Sequence, residues 1–429
     1  MTISARTPLS MAVVLGLLSS TQVSAAGFQL AEYSGTGLGR AYAGEAAMAD
    51  NASAQWRNPA MLTYLEGTQI SGGVLYVEPN IDVKGTSSIA GYTESNDIAN
   101  SAPVPNLYIS HQLNDKYTLG LALGSNYGME TDLGRDFKAS QYGNEAKIMT
   151  VEAVASLAYK LNDQFSFGGG VRFVTGEGKI GATVPFDTTI PVAPNVNIPV
   201  SKGDYLKYVE GTDSSWGYVL GAAWQINDHN RLGFAYKSEV MMDFEGHGEG
   251  IGFGFAGKKD GKLSVALPAT AEVSTYHQIT SQWALHSSIN WTQWSSFEEL
   301  KVKFNDGTNS HIKQENWKDS YRFAVGTTYA LNQKLTLRGG IAYDMSAVGD
   351  KYRTTTIPET DRTWLSAGAS YAFSKQFTLD GGLTYIMART ASITEPRDHS
   401  DDQAAQFGNF TGEISGDVWI AGIQANYRF

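Results

Sequence analysis

The stretch "YRFAVGTTYALNQKLTLRGGIAYD" at residues 321–344 decides the fold. Through its first half Tyr321, Phe323, Val325, Tyr329 and Leu331 fall on one face of an extended chain, and Arg322, Ala324, Gly326 and Thr328 on the other. A short polar break at Asn332, Gln333 and Lys334 follows. The alternation then resumes, with Leu335, Leu337, Ile341 and Tyr343 opposed to Thr336, Arg338, Ala342 and Asp344. Two alternating runs joined by a few polar residues read as a hairpin. One face is apolar with aromatic ends and the other is small and polar, the pattern of a sheet between lipid and water or protein.

The same phrase recurs along the chain: "LNDKYTLGLA" from 113, "LNDQFSFGGG" from 161, "INDHNRLGFA" from 226, "ITSQWALHSS" from 279 and "FSKQFTLDGG" from 373. With the turn at 331 these make six tight hairpins. Longer polar stretches, such as 79–103, 181–212 and 390–414, separate them. A soluble sandwich also alternates, but here the aromatic residues gather at strand ends beside the turns, where an interfacial girdle belongs. The chain also closes on "DVWIAGIQANYRF", with Trp419, Ile423, Tyr427 and Phe429 on one face. About 10 tilted residues cover an apolar band of roughly 25 Å. If the six short turns and both chain ends share the periplasmic side, six turns join twelve strands, and one more strand lies at each end. The expected fold is all-β, a 14-stranded antiparallel transmembrane β-barrel with seven long extracellular connections and a first strand from Thr68.

Composition agrees with this and excludes several functions. Charged residues are only 17% of the chain, with 46 glycines, 22 tyrosines, 18 phenylalanines and 9 tryptophans. A net charge of -11 and no basic cluster argue against nucleic acid. Cysteine is absent, which removes disulfides, thiolate metal sites and cysteine nucleophiles. The histidines, His111, His229, His247, His277, His286, His311 and His399, are dispersed, and no local motif favours a hydrolase triad, a metal centre or a phosphate-binding loop. Neither catalysis nor a cofactor is expected. Residues 1–25 read as a secretory signal, with Arg6, an apolar core from Met11 to Leu18 and a small-residue end at Ala25.

Residues 26–66 stand outside the strand count and include the glycine-rich "SGTGLGRAYAGEAAMADNASAQWRNPA" at 34–60. No buried strand precedes these glycines, so a dinucleotide fingerprint is disfavoured. A barrel of this size is too wide for its own side chains to fill but can hold a plug. The expected organisation is a hatch at 26–66 inside a barrel at 67–429.

The start at 26–60, with "SNYG" at 125–128, "WKDSYRFAVGTTYA" at 317–330 and "DRTWLSAGASYAF" at 361–373, resembles the FadL family of outer-membrane transporters for long-chain fatty acids and other hydrophobic compounds. The resemblance runs from Ala26 to Phe429. It implies a plugged barrel in the outer membrane of a Gram-negative bacterium, monomeric and in contact with outer-membrane lipid and lipopolysaccharide. It places Asn58, Pro59 and Ala60 in the hatch near a wall opening, puts that opening at a kink in the third strand centred on Asn126, Tyr127 and Gly128, and sets Phe28 beside a high-affinity pocket. Capture is expected between extracellular loops carrying Phe186, Phe253 and Phe255, which form an apolar surface unless they pack a small core of their own. Lys179, Lys318 and Arg322 are the candidate carboxylate partners, Arg322 being equally readable as half of a structural wall pair. Glu177 stands where the fatty-acid members carry an arginine. That departure moves carboxylate recognition to Arg172 or favours a neutral or aromatic hydrocarbon. A non-specific porin is the remaining transport reading, disfavoured by the plug.

Overall fold

The structure, a computed structural model, describes residues 27–193, 195–254, 257–397 and 402–429. The signal expected at 1–25, together with Ala26, Phe255 and His399, lies outside the described residues.

The strands form one closed 14-stranded antiparallel barrel. In chain order they are β1 (Thr68–Ser87), β2 (Ala102–Gln112), β3 (Tyr117–Gly124, continued by Gly128–Asp132), β4 (Glu145–Lys160), β5 (Phe165–Thr183), β6 (Tyr205–Asn227) and β7 (Asn230–Lys237, continued by Val240–Glu249). They continue as β8 (Lys259–Leu267, continued by Thr270–Gln278), β9 (Trp283–Thr292), β10 (Ser320–Ala330), β11 (Leu335–Asp344), β12 (Arg362–Ala372), β13 (Phe377–Ala388) and β14 (Phe410–Arg428). Each strand pairs with the next, and β14 returns to β1 in unbroken register from Gln69↔Arg428 to Ser87↔Phe410. Closure leaves the sheet no edge, which is what a membrane interior demands of backbone donors and acceptors.

All six expected turns are tight hairpins, and the outward faces are those the alternation assigns. Val325 and Ile341 are 56% and 57% exposed on the lipid side, while Ala324 and Ala342 are 3% and 4% exposed on the lumen side. Aromatic pairs near the short turns, Tyr117 with Tyr159 and Phe165 with Trp224, supply the periplasmic girdle. Several connections are shorter than the polar stretches suggest, because the strands continue past the lipid band: β1 runs to Ser87, β5 to Thr183, and β6 and β14 begin at Tyr205 and Phe410. Above the membrane both faces of a strand meet water or loop, so the apolar alternation that marks a strand in sequence is lost.

The hatch fills the lumen with short turns: a helix α1 (Gly35–Leu38) and 3-10 turns at Glu45–Ala47, Ala52–Trp56 and Pro59–Tyr64. Its buried polar groups are paired within it and to the wall. Arg40 bonds Glu45 at 2.6 Å and Asp50 at 2.7 Å. Ala46 donates its N–H to Glu272 on β8 at 2.9 Å, and Gly35 donates to Gln424 on β14 at 3.0 Å. Tyr108 on β2 donates to the Tyr33 carbonyl at 2.6 Å. On the β12 side hatch and wall meet backbone to backbone, since a Cβ on Gly368 would sit 2.6 Å from the Cα of Gly39.

Candidate functional site

Above the hatch the N-terminal segment carries Phe28 into an aromatic cage. Its ring meets Trp294 edge-on at 4.7 Å and Phe297 at 5.3 Å, with Tyr127 at 6.0 Å and Trp317 at 6.1 Å. Such edge-to-face pairs add to the burial of the rings themselves. Beside the cage lies an apolar pocket lined by Phe28, Met129, Ile148, Phe244, Val265, Phe297 and Ile357 among others. Its apolar wall suits a hydrophobic ligand. Two cations reach the rim and both are paired, Lys179 with Glu145 at 2.5 Å and Lys147 with Glu177 at 2.6 Å. A second pocket lies outward among Tyr142, Ile180, Leu206, Ile312 and Lys313. Ile180 lines both cavities.

The barrel wall is interrupted next to the inner cavity. β3 pairs with β4 at Gly124↔Glu152 and again at Gly128↔Met149, so three residues of β3 oppose two of β4. This is a bulge with one extra residue. Its consequence falls on the other neighbour. The β2–β3 ladder stops at Leu107↔Leu123, while β2 continues to Ala102 against β1 alone. The wall is joined again only higher up, by an Ala99↔Thr131 bridge and the Asp132 N–H on the Ile98 carbonyl at 2.8 Å. Between these points lies a gap in the sheet. From inside, the N-terminal segment covers it as a short extra strand. Gly128 donates to the Phe28 carbonyl at 2.8 Å, and Leu30 donates to the Asn126 carbonyl at 2.9 Å.

The segment is held at its start by Glu359, in the connection between β11 and β12, whose carboxylate accepts the Gly27 N–H at 2.7 Å and also bonds Arg362. Burial pushes the Glu359 carboxyl up to about 7, with Arg362 pulling it back and Asp344 adding to the rise. Because the folded value lies above the ordinary carboxyl range, this arrangement is fully favourable below about pH 4.5 and loses stability as pH rises through 7. Raising pH from 5 to 8 should therefore lower the stability of the fold around Glu359 by on the order of 3 kcal/mol, even though the Gly27 N–H itself favours the ionised form. Fluorescence of Trp294 and Trp317 checks this: a transition near pH 7 is expected in the wild type and none in Glu359→Gln. A wild-type signal flat across that range contradicts it.

The other sequence-derived candidates are dispersed. Phe253 joins the same apolar cluster as Phe28, packed edge-on against Phe304 at 5.0 Å. Phe186 does not; it sits in a separate loop core with Val184, Val200, Leu206 and Phe407. Lys179 is at the cavity rim, already paired. Lys318 is exposed, with its backbone N–H on the Ala347 carbonyl at 3.0 Å. Arg322 faces the hatch, donating to the Ala41 carbonyl at 2.9 Å and lying 4.8 Å over the Trp364 ring, and it does not line the inner cavity. Arg172 is saturated by Glu152, two bonds at 2.8 Å, and by the Ser238 carbonyl. Asn58 caps the Pro59–Tyr64 turn by accepting the Ala60 N–H at 2.9 Å and reaches the wall at the Ala222 carbonyl on β6 at 3.0 Å. Asn58, Pro59 and Ala60 thus pack against β5 and β6, while the hatch residue that reaches the gap is Trp56, beside Gly124. Asn126, Tyr127 and Gly128 form the bulge itself. Sequence reasoning missed Trp294, Phe297 and Trp317, although three large aromatics in one polar connection were the signal available.

Comparison with known proteins agrees with this architecture. The family model described as "Outer membrane protein transport protein (OMPP1/FadL/TodX)" matches residues 16–429. A long-chain fatty acid transport protein of Escherichia coli O6:H1 is 35% identical over 448 residues, covering 99% of this chain and 98% of that one. Among solved structures, a Pseudomonas aeruginosa FadL homologue superposes with a TM-score of 0.82 at 23% identity, covering 94% of this chain and 100% of that one. The Ralstonia pickettii toluene transporter TbuX superposes with a TM-score of 0.66 at 19% identity, covering 92% and 98%. These two likenesses speak to the fold.

Proposed function

The chain belongs to the outer membrane protein transport protein family (OMPP1/FadL/TodX) of the Gram-negative outer membrane, and on that premise we propose that it takes up long-chain fatty acids through the side of its barrel. A ligand is captured in the outer cavity among the extracellular connections, passes inward by Ile180 to the cavity beside Phe28, and leaves through the gap between β2 and β3. In this reading residues 1–25 are the export signal, 26–66 the hatch and 67–429 the barrel. The barrel acts as a monomer bounded by outer-membrane lipid and lipopolysaccharide.

The carrying observation is the juxtaposition of an apolar cavity, a wall gap and a hatch bonded to the wall below them. Each methylene removed from water stabilises by about 0.8 kcal/mol, so a 16-carbon chain gains on the order of 12 kcal/mol on leaving it. An axial exit would return that chain to periplasmic water, whereas the gap leads to lipid. The N-terminal segment fits a gate, because the Phe28 and Leu30 backbone that covers the gap is continuous with the ring that lines the cavity. Moving one moves the other.

Phe28→Ala tests the cavity assignment. Losing a buried phenyl ring costs about 1.5–3 kcal/mol of apolar contact, so the affinity of the purified protein for a fluorescent long-chain fatty acid should weaken about ten- to hundredfold. Unchanged affinity in a folded variant would place the ligand elsewhere. A second reading, neutral or aromatic hydrocarbons, is favoured by one observation: Lys179 and Lys147 at the cavity rim are already paired with Glu145 and Glu177. Parallel uptake of labelled oleate and labelled toluene by cells lacking other hydrophobic transporters separates the two.

A further inference from the structure

We propose that the wall gap holds a carboxylate-binding exit site built from Lys237, Asn126 and Asn106, separate from the apolar cavity at Phe28. The inference rests on the lateral route proposed above and adds a polar station to it. Lys237, at the end of the first segment of β7, is only 3% exposed, and its ammonium contacts are long. Its Nζ lies 3.5 Å from the Asn126 Oδ1, 3.7 Å from the Glu152 Oε1 and 4.1 Å above the Trp56 ring. Glu152 is meanwhile engaged through both oxygens by Arg172 at 2.8 Å. Two buried basic side chains therefore share one carboxylate, and Lys237 has no counterion of its own. A buried ammonium without its own counterion is strongly unfavourable, so an incoming anion would stabilise the charged form of Lys237 here.

The margins of the gap supply the remaining donors. Asn126 lies in the bulge, and its side-chain nitrogen is buried with no hydrogen-bond partner. Across the gap Asn106 of β2, 7% exposed, has both side-chain polar atoms buried and unpartnered. Were the β2–β3 ladder to continue past Leu107↔Leu123, Asn106 would face Gly124, the last residue before the bulge. Buried amides are almost always bonded, and unpartnered amide nitrogens on opposite margins of one opening mark a ligand position. Trp56, against Gly124 and under Lys237, gives an apolar surface for the first methylenes of a tail. A cation, two amide donors and an aromatic surface together suit a monocarboxylate on a hydrocarbon chain, its tail directed into lipid and its head held until last.

Lys237→Met tests the site in the full-length protein expressed in cells lacking other hydrophobic transporters, with folding verified by heat-modifiable gel mobility. Labelled oleate uptake should fall at least fivefold, with labelled hexadecane uptake unchanged and oleate affinity of the purified protein within twofold of wild type. Lys237→Arg should restore at least half of the oleate rate. Asn106→Val, which keeps the buried cation, is the second probe and should lower oleate uptake alone by about threefold. Wild-type oleate uptake in folded Lys237→Met, or equal loss of oleate and hexadecane, overturns the exit site. A wild type that carries hexadecane and not oleate rejects the carboxylate site and leaves hydrophobic transport standing. A wild type that carries neither overturns both.

Discussion

Deleting Asn126 should abolish uptake of hydrophobic compounds and leave the barrel folded. Gly124 faces Glu152 and Gly128 faces Met149, so β3 holds one residue more than β4 between these pairs. Below the bulge Thr118, Ala122 and Gly124 point inward; above it Met129 and Thr131 do, a change of parity that the extra residue produces. Removing one residue restores unbroken alternation. β3 can then run straight, continue its ladder with β2 beyond Leu107↔Leu123, and close the gap. The shortened strand gains backbone hydrogen bonds, so stability should hold or rise, while uptake should fall to the level of cells without the protein. Full uptake in a folded deletion variant would remove the lateral route.

Arg40→Ala should turn a plugged barrel into a conducting one. Arg40 is 1% exposed and holds Glu45 and Asp50 together inside the hatch. Burial alone would raise the Asp50 carboxyl, yet Arg40 holds it down to about 2. The pair therefore stabilises the hatch fully above the ordinary carboxyl range and loses that contribution as pH falls through 2. Removing Arg40 leaves the buried Glu45 carboxylate uncompensated, which typically costs about 3–5 kcal/mol, whereas Asp50 is exposed and keeps its water. The hatch has short turns and no sheet of its own, so a loss of that size should loosen it before the closed barrel yields. Ion conductance in a planar bilayer should rise severalfold toward that of an open pore, with barrel melting little changed. Arg40→Lys should fall between, since an ammonium lacks the fork that reaches both acids. Conductance equal to wild type would mean that the hatch is held by its wall contacts, Glu272, Gln424 and Arg322, and not by its own core.

The barrel was legible in the sequence because its determinants are local. Alternation at 321–331, a polar break, and alternation again at 335–344 are all that a lipid-facing hairpin needs, and six such phrases count the strands. The length of β1, β5, β6 and β14 was less legible, since above the lipid band a strand no longer shows an apolar face. The family resemblance placed a kink at Asn126, Tyr127 and Gly128, but its consequence for the β2 ladder depends on a partner outside that stretch.

The site was less readable still, because its contacts join distant parts of the chain. Gly27 meets Glu359 across 332 positions. Phe28 is caged by Trp294, Phe297 and Trp317, from a connection that alternation does not describe. Arg322 reads in sequence either as a carboxylate partner or as half of a wall pair and Arg172 as an alternative carboxylate partner, and only their contacts, the Ala41 carbonyl and Glu152, show how they are occupied. Lys237 carried no motif at all; its interest lies in a shared counterion, which is a property of packing.

The central claim is the path, and photocrosslinking of a bound ligand tests it most directly. A diazirine-bearing long-chain fatty acid, bound to the purified protein, illuminated and mapped by mass spectrometry, should label peptides around Phe28 and Phe297 and those bordering the gap, 102–108 and 124–130. Label confined to the hatch underside and the periplasmic strand ends, around 55–66 and 161–168, would mean that the ligand travels down the barrel axis, and the lateral account would be wrong.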